Sequence, residues 1–351
     1  MFKILLRIAL ASLHRRLARS LLVMVMIAMS LWGLLAMEGL YDGMTEQVID
    51  NAIRSDSGDI SIYGQGFRLD PGLQHLIADP AEVSALLAAE PRVRSHVRRL
   101  RQDGLIATAH YSRNATLMAV DLAAEDRHGR LASYLAEGDY AFGDKGRGAL
   151  VGYRLADKMK LEVGDKIVLS AQNSSNEVAA LALRITGILK TNNMALDDSA
   201  VYMDLAKGRD MLMVPEEVSQ ISILLHERQE VMAVKQGLQA ELAHLDVRSW
   251  DELYPALRQG REMMAIFNLI TSLLVFCVAG LGIFGVMLVS VLERLREFGI
   301  MLAIGTTFAE IRFMVFAESF ILGLCGYLVV IMLGGGVLRG LGIATTSFAV
   351  V

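Results

Sequence analysis

The chain of 351 residues is 54% hydrophobic, still 21% charged, and carries a net charge of −4. Its charges avoid three long segments, which excludes a wholly water-soluble protein and fits a membrane protein with a large hydrophilic insert. The near-neutral balance gives no expectation of a nucleic-acid partner.

Residues 1–19 hold Lys3, Arg7, Arg15, Arg16 and Arg19, and no acid precedes Glu38. The positive-inside rule therefore predicts a cytoplasmic N-terminal amphipathic segment. Residues 20–39 read as a first transmembrane helix. A cleaved signal peptide has a shorter apolar core ending at a small-residue site, and nothing of that kind follows Leu35.

Residues 40–262 read as an outer, periplasmic domain in which hydrophobic period switches between two and 3.6, the mark of mixed α and β structure. Strands are predicted at 59–63, 105–109, 116–120, 166–171 and 180–189, several bounded by Gly or Asn. A helix is predicted over 80–89, with Asp79 as N-cap and Pro80 at its first position, and another over 229–244. Ser249 and Glu252 have capping-box spacing and would start a helix toward the membrane. If that helix runs unbroken into the next span, outer-domain and membrane motions are coupled. The insert contains no cysteine, since Cys277 and Cys325 both fall in apolar runs, so it must hold together by burying a core. Roughly 220 residues suffice for one large or two small lobes.

Residues 263–292 carry no charge and read as a second span; residues 293–312 carry Glu293, Arg294, Arg296, Glu297, Glu310 and Arg312; residues 313–338 read as a third span, interrupted by Glu318. The middle segment is too short for a domain and long enough for one cytoplasmic docking helix. The expected fold class is thus α+β: a multi-pass α-helical membrane protein with a large mixed α/β periplasmic domain inserted between transmembrane helices 1 and 2. Residues 339–351 would be a periplasmic tail.

Catalytic signatures fail on context. Gly280, Gly282 and Gly285 spell a dinucleotide fingerprint, but in an apolar span with no preceding strand; close helix packing is the expectation there and for Gly336 and Gly340. The chain has no phosphate-loop motif to hydrolyse ATP, no nucleophile elbow, and seven scattered histidines without metal-ligand spacing. No cofactor or metal is expected in this chain. Glu318 is the ionisable residue within an apolar run, which points to a structural or coupling role close to the cytoplasmic interface.

Glu293-Arg294, Arg296-Glu297-Phe298-Gly299-Ile300, Ala303-Ile304-Gly305, Ile311, and Glu318-Ser319 ahead of Gly323 and Gly326 form a pattern. It resembles the conserved region of FtsX-like permeases, the membrane subunits of the ABC-transporter branch with lipoprotein-releasing (LolC/LolE-like) and macrolide-exporter (MacB-type) systems. In the insert, Val151-Gly152-Tyr153-Arg154-Leu155-Ala156, then Leu161 and Val163-Gly164-Asp165-Lys166-Ile167-Val168-Leu169, resemble the MacB-like periplasmic core domain, with Thr186-Gly187-Ile188 and Ser249-Trp250 in keeping. The resemblance implies one helix, the periplasmic domain, then three helices, so a fourth transmembrane helix is expected to be missing here. It further implies a non-enzymatic inner-membrane subunit, paired with an identical or paralogous permease and with a cytoplasmic ABC ATPase that binds the ATP. ATPase closure would pass through the short helix to the periplasmic domains, a mechanotransmission. On that reading Glu293, Arg294, Arg296, Glu297, Gly299, Ala303 and Gly305 serve the ATPase contact and its turn. Glu318, Gly280, Gly282, Gly285, Gly323 and Gly326 serve coupling and packing between helices.

Three functions remain open: release of lipoproteins or similar amphipathic cargo from the membrane, with a possible periplasmic carrier or adaptor; drug or peptide export of the macrolide-exporter type; and regulation of a periplasmic cell-wall hydrolase. The size of the insert favours the first two. An anchored periplasmic enzyme would explain one membrane helix but not the charged connection between the last two.

Overall fold

The computed structural model describes residues 17–143 and 145–340. They divide into two compact units, one formed by Thr45–Gln259 and the other by the described parts of residues 1–44 and 260–351. The expectations for residues 1–16 and 341–351, and for the surroundings of Gly326, Gly336 and Gly340, lie outside the described residues.

Chain order begins with one long helix, α1 (Leu17–Ala52), which widens at its end into a π-turn at Ile53–Ser57. Gly58 follows at φ 66°, where an added Cβ would meet the Ile223 carbonyl oxygen at 2.5 Å, so the chain turns into the sheet only with glycine here. Then come β1 (Ile60–Gly64), α2 (Pro80–Ala89), β2 (Val93–Ala107), β3 (Ser112–Val120), α3 (Leu122–Gly129), β4 (Leu135–Gly138), β5 (Gly148–Gly152) and α4 (Tyr153–Met159). The domain continues with β6 (Lys166–Gln172), β7 (Val178–Leu189), α5 (Met194–Ser199), β8 (Ala200–Asp204), α6 (Leu205–Leu212), β9 (Gln220–Leu225), α7 (Val231–Glu241), β10 (Leu245–Ser249) and α8 (Trp250–Leu253). Three helices close the described chain: α9 (Pro255–Glu293), α10 (Leu295–Ala303) and α11 (Phe308–Gly340). By length and composition, α9 is the helix among the described residues that is long and apolar enough to cross a bilayer.

The strands of Thr45–Gln259 join in a mixed sheet ordered β10-β1-β9-β2-β3-β8-β5-β7-β4, with β6 bridging β2 and β7. Most pairs are antiparallel; β3 with β8 and β5 with β7 are parallel. β2 holds the sheet together. Its first half pairs with β9 from Val93 to Arg99, and its second half pairs with β3 from Leu100 to Ala107 and with β6 from Gly104 to Ala107. A separate core lies along each half. Ile60, Ile62, Leu87, Ile221, Ile223 and Val234 belong to one; Leu100, Ile106, Leu117, Val151, Ile167 and Leu169 belong to the other. Each such aliphatic side chain contributes about 1.5–3 kcal/mol on burial, which is how the insert dispenses with disulfides.

Between these cores runs a buried polar seam. Arg99 of β2 is 2% exposed and forms a bidentate pair with Glu125 of α3, Nε to Oε1 at 2.6 Å and Nη2 to Oε2 at 2.7 Å. Its Nη1 donates to the Asp56 carbonyl in the π-turn. Burial alone would lower the Arg99 pKa, but the charge and hydrogen bonds of Glu125, with Asp56 beyond, raise it and keep the guanidinium charged. One turn along α3, His128 is fully buried with Nδ1 2.9 Å from Ser95 Oγ and Nε2 3.1 Å from Ser222 Oγ. Gln220 of β9 donates to Ser61 Oγ at 3.0 Å and to the Asp56 carbonyl at 3.2 Å. The seam thus ties the π-turn to β1, β2, β9 and α3.

A second set of charges fixes the end of α1. Arg228 reaches Asp59 (3.2 Å), Asp50 (2.8 Å) and Glu46 (3.3 Å), and Arg54 pairs with Asp50 at 2.6 Å. Ile49, Ile53, Leu224 and Trp250 bury together beside it.

The helix expected at 80–89 occupies Pro80–Ala89, with Asp79 accepting from the Glu82 amide at 3.0 Å. The strand expected at 59–63 is shifted by one residue, and the strand pair expected at 105–109 and 116–120 is a much longer hairpin. The helix expected at 229–244 is shorter: Arg228–Glu230 is a 3-10 turn and α7 ends at Glu241. The helix at the Ser249 capping box does not continue toward the membrane. It ends at Leu253, Tyr254 turns to φ −119° and ψ 65°, and Pro255 starts α9. The proline ring disfavours helical backbone at the residue before it and supplies no N–H, so the break is local chemistry. Tyr254 donates instead to Asp56 Oδ2 at 2.6 Å, and burial followed by the nearby Asp56 charge raises its pKa, keeping it the donor.

Two outcomes follow for stability. Glu125→Ala leaves Arg99 buried and uncompensated and is expected to destabilise the domain by about 3–5 kcal/mol, read from the denaturant midpoint of the detergent-solubilised chain; Arg99→Met with Glu125→Leu should recover most of that loss. Burial, with Arg99 beside it, lowers the His128 pKa from 6.5 to about 2. The folded state therefore binds fewer protons than the unfolded one, and stability falls as pH drops below the unfolded value of about 6.5, by up to about 1.4 kcal/mol per pH unit. His128→Gln should flatten that part of the stability–pH curve between pH 6.5 and 4.5.

Candidate functional site

Within the second unit, the segment joining α9 to α11 brings together most of the charged residues singled out in the sequence. α9 ends at Glu293, and Arg294 leaves helical geometry with φ −104° and ψ 8°. α10 then runs from Leu295 to Ala303 and closes on a left-handed glycine. The Gly305 amide donates to the Leu302 carbonyl at 3.1 Å and the Thr306 amide to the Met301 carbonyl at 3.0 Å. This pair of hydrogen bonds across the helix end is a Schellman cap, which needs positive φ after the last helical residue. Gly305 supplies it at φ 99°.

The next helix starts at Phe308, three residues after Gly305. Thr307 caps α11: the Glu310 amide donates to Thr307 Oγ1 at 3.4 Å, while Glu310 Oε2 accepts from the Thr307 amide at 2.9 Å and from its hydroxyl at 3.0 Å. A capped end and a capped start three residues apart make a tight, defined turn.

Arg294 points inward. Its Nη1 lies 3.0 Å from Glu318 Oε2 and its Nε 3.2 Å from Glu297 Oε2. Its guanidinium carbon sits 5.3 Å from the Phe298 ring centroid. The Arg294 side chain is 10% exposed and that of Glu318 12%, whereas Glu297 is 62% exposed. Phe298, Met314 and Ala317 are buried in the same region. The carboxylate that stood alone in an apolar run therefore has a partner 24 residues earlier in the chain. Glu293, Arg296 and Ala303 are exposed.

The expected glycine roles divide. Gly305 makes the turn. Gly299 lies inside α10, with nothing within 4 Å of an added Cβ, so the turn does not use it. Gly282 approaches Met26 of α1, where a Cβ would come within 3.1 Å of the methyl carbon. Gly280, Gly285 and Gly323 have nothing within 4 Å, so close packing by these three is not found among the described residues. Sequence reading did not anticipate the contact between Ser272 Oγ of α9 and Glu38 Oε1 of α1, at 3.1 Å. Among the described residues no group of His, Cys, Asp and Glu side chains could hold a metal ion.

Comparison with known proteins gives this arrangement a class. Residues 20–241 match the MacB-like periplasmic core domain and residues 269–349 match the FtsX-like permease C-terminal domain. Such a pairing defines a homologue of ABC-transporter permeases. The chain belongs to the family of the MacB-like periplasmic core domain, which covers more than half of it. It is 30% identical over 128 residues to the macrolide export ATP-binding/permease protein MacB of Bdellovibrio bacteriovorus, covering 36% of this chain and 19% of that protein. The MacB of Vibrio parahaemolyticus is 22% identical over 340 residues, covering 92% of this chain and 50% of the relative. An uncharacterized ABC transporter permease of Methanocaldococcus jannaschii is 24% identical over 53% of this chain and 46% of its own length. The chain thus spans about half or less of the length of these curated relatives. Among solved structures, the periplasmic region of MacB from Actinobacillus actinomycetemcomitans aligns at 12% identity and TM-score 0.39, over 59% of this chain and 95% of that one.

Arg294→Ala removes the partner of Glu318 and is expected to raise hydrogen exchange at the amides of residues 295–305 by tenfold or more in nanodiscs. Gly305→Ala forces a side chain into left-handed backbone at a cost of about 1–2 kcal/mol, and should loosen the same amides. Unchanged exchange in both variants would mean that the turn is held from elsewhere.

Proposed function

We propose that the chain is the permease subunit of an ABC transporter, driven by a separate cytoplasmic ATPase that binds the ATP. In this reading α1, α9 and α11 are membrane helices, residues 1–16 and the α9–α11 turn face the cytoplasm, and Thr45–Gln259 is periplasmic. A second permease, identical or paralogous, completes the assembly in the inner membrane. The observation that carries the reading is the short α10, closed by the Gly305 cap, followed at once by the capped start of α11 and anchored from behind by Arg294 and Glu318, with Arg296 and Glu297 exposed on it and Glu293 exposed just before it. That geometry suits a lever: the exposed charges engage the ATPase, and the inward pair passes its displacement to α11. Arg294 accordingly changes role, from an ATPase contact to the joint behind it.

Two cargo readings stand side by side. Lipoproteins or similar amphipathic molecules fit a permease that works from the outer leaflet. Macrolide-type export is favoured by the names of the MacB relatives. In both, the cargo is moved by mechanotransmission through the periplasmic domain, with a possible periplasmic adaptor.

Affinity purification of the tagged chain from native membranes in mild detergent tests the assembly. An ABC ATPase should co-purify with the unaltered chain, be lost with Arg296→Glu, and be retained with Glu318→Gln. Reconstituted with the recovered ATPase, Glu318→Gln should lower ATP turnover coupled to cargo release by about tenfold while leaving ATPase binding intact. Absence of any ATPase, or its recovery with Arg296→Glu, would overturn the lever.

A further inference from the structure

The periplasmic-type domain contains a cavity of about 240 Å³ that no part of the reading above uses. Its more buried lining comes from the π-turn and the exit segment, Asp56 and Tyr254, joined by their 2.6 Å hydrogen bond. One wall is a pair of parallel rings, Tyr63 and Phe67, with centroids 6.0 Å apart and planes 8° from parallel. The rest of the lining alternates in charge, with Arg68 and Asp103 exposed and Arg101 and Gln102 half-buried.

Several of these groups are unmatched. Among the described residues Arg68 has no hydrogen bond or ion pair. Asp103 uses one oxygen, accepting from Thr116 Oγ1 at 3.1 Å. Asp56 Oδ1 and Gln102 Oε1 are buried acceptors without a hydrogen-bond donor, and the nearest cation to the former, Arg101 Nη1, stands off at 3.8 Å. Buried acceptors without donors are rare and cost about 1–3 kcal/mol each. A simple cation would find acceptors here but face Arg68 and Arg101; a simple anion would find the guanidinium groups but face Asp56 and Asp103. A molecule carrying both charges meets neither conflict.

We propose that this cavity binds a small zwitterion, its ammonium directed to the Asp103, Asp56 and Gln102 oxygens, its acid group to Arg68 and Arg101, and its aliphatic link lying on the Tyr63–Phe67 pair. A dry cavity of about 150 Å³ accepts benzene, so this one takes a ligand of roughly eight to ten heavy atoms. That size is a headgroup and not a macrolide. Phosphoethanolamine has the size and charges required, either free or as the head of a phospholipid. The site is independent of ATPase coupling, so its fate and that of the permease reading are separable.

Calorimetric titration of the full chain in non-ionic detergent tests it. Phosphoethanolamine should bind saturably, and ethanolamine alone or inorganic phosphate alone at least tenfold more weakly. Arg68→Ala and Asp103→Asn, both at exposed positions that leave the thermal midpoint unchanged, should each weaken phosphoethanolamine by about tenfold. Leu69→Ala, on the same loop but outside this cavity, should not. Dihexanoyl phosphatidylethanolamine binding more tightly than the free headgroup, with dihexanoyl phosphatidylglycerol silent, assigns the ligand to lipid; equal affinity assigns it to a soluble zwitterion. No saturable binding, equal binding of either half-molecule, or indifference to both substitutions overturns the proposal.

Discussion

The buried pair of Arg99 and Glu125 is the constraint on which the outer domain depends. Two ions at 2–3% exposure repay their desolvation only if their geometry is good and their remaining hydrogen-bonding capacity is filled. Here the fork of the guanidinium takes both carboxylate oxygens, and its third nitrogen takes the Asp56 carbonyl. Meeting that demand forces α3 onto β2 at one depth, and forces the π-turn at the end of α1 against the same point. A core of aliphatic residues alone would tolerate sliding; a bidentate pair with a backbone acceptor does not.

From that fixed point the geometry propagates through covalent neighbours. Asp56 also receives Tyr254, so the entry and exit of the domain are bonded to one residue. Arg228 gathers Glu46, Asp50 and Asp59 around the same entry. The second unit repeats the device on a smaller scale: Arg294 and Glu318 join segments that the capped turn folds back on each other. In both places an arginine is chosen over a lysine for reach and for its planar set of donors.

The legible parts of the fold were those in which local rules and tertiary packing agree. Asp79 and Pro80 specify a helix start by capping chemistry alone, and Lys166–Gln172 and Val178–Leu189 alternate outward and inward residues as a half-buried hairpin must. β9 escaped because Gln220 and Ser222 sit fully buried in a strand whose every position is interior, where the Gln220 amide nitrogen and the Ser222 hydroxyl bond to partners distant in sequence. The front half of β2 escaped for a related reason: His96, Arg98 and Arg99 read as a solvated run until Glu125 supplies the counter-charge. Between α9 and α11 the pattern of charges was visible, and Gly305 as a turn residue with it. The inward direction of Arg294 was not, because a pairing across 24 residues depends on the hairpin that Gly305 and Thr307 create.

The path of β1 has a consequence for biogenesis. Ile60 pairs with Ile223 on one side and with Ser249 on the other, so the first strand of the domain finds its neighbours only when the last have emerged. At about 5–20 residues per second of synthesis, a strand whose residues are nearly all interior waits roughly ten seconds or more with both edges open. Nascent chains in that interval present an unpaired, largely apolar strand with two open edges to their surroundings.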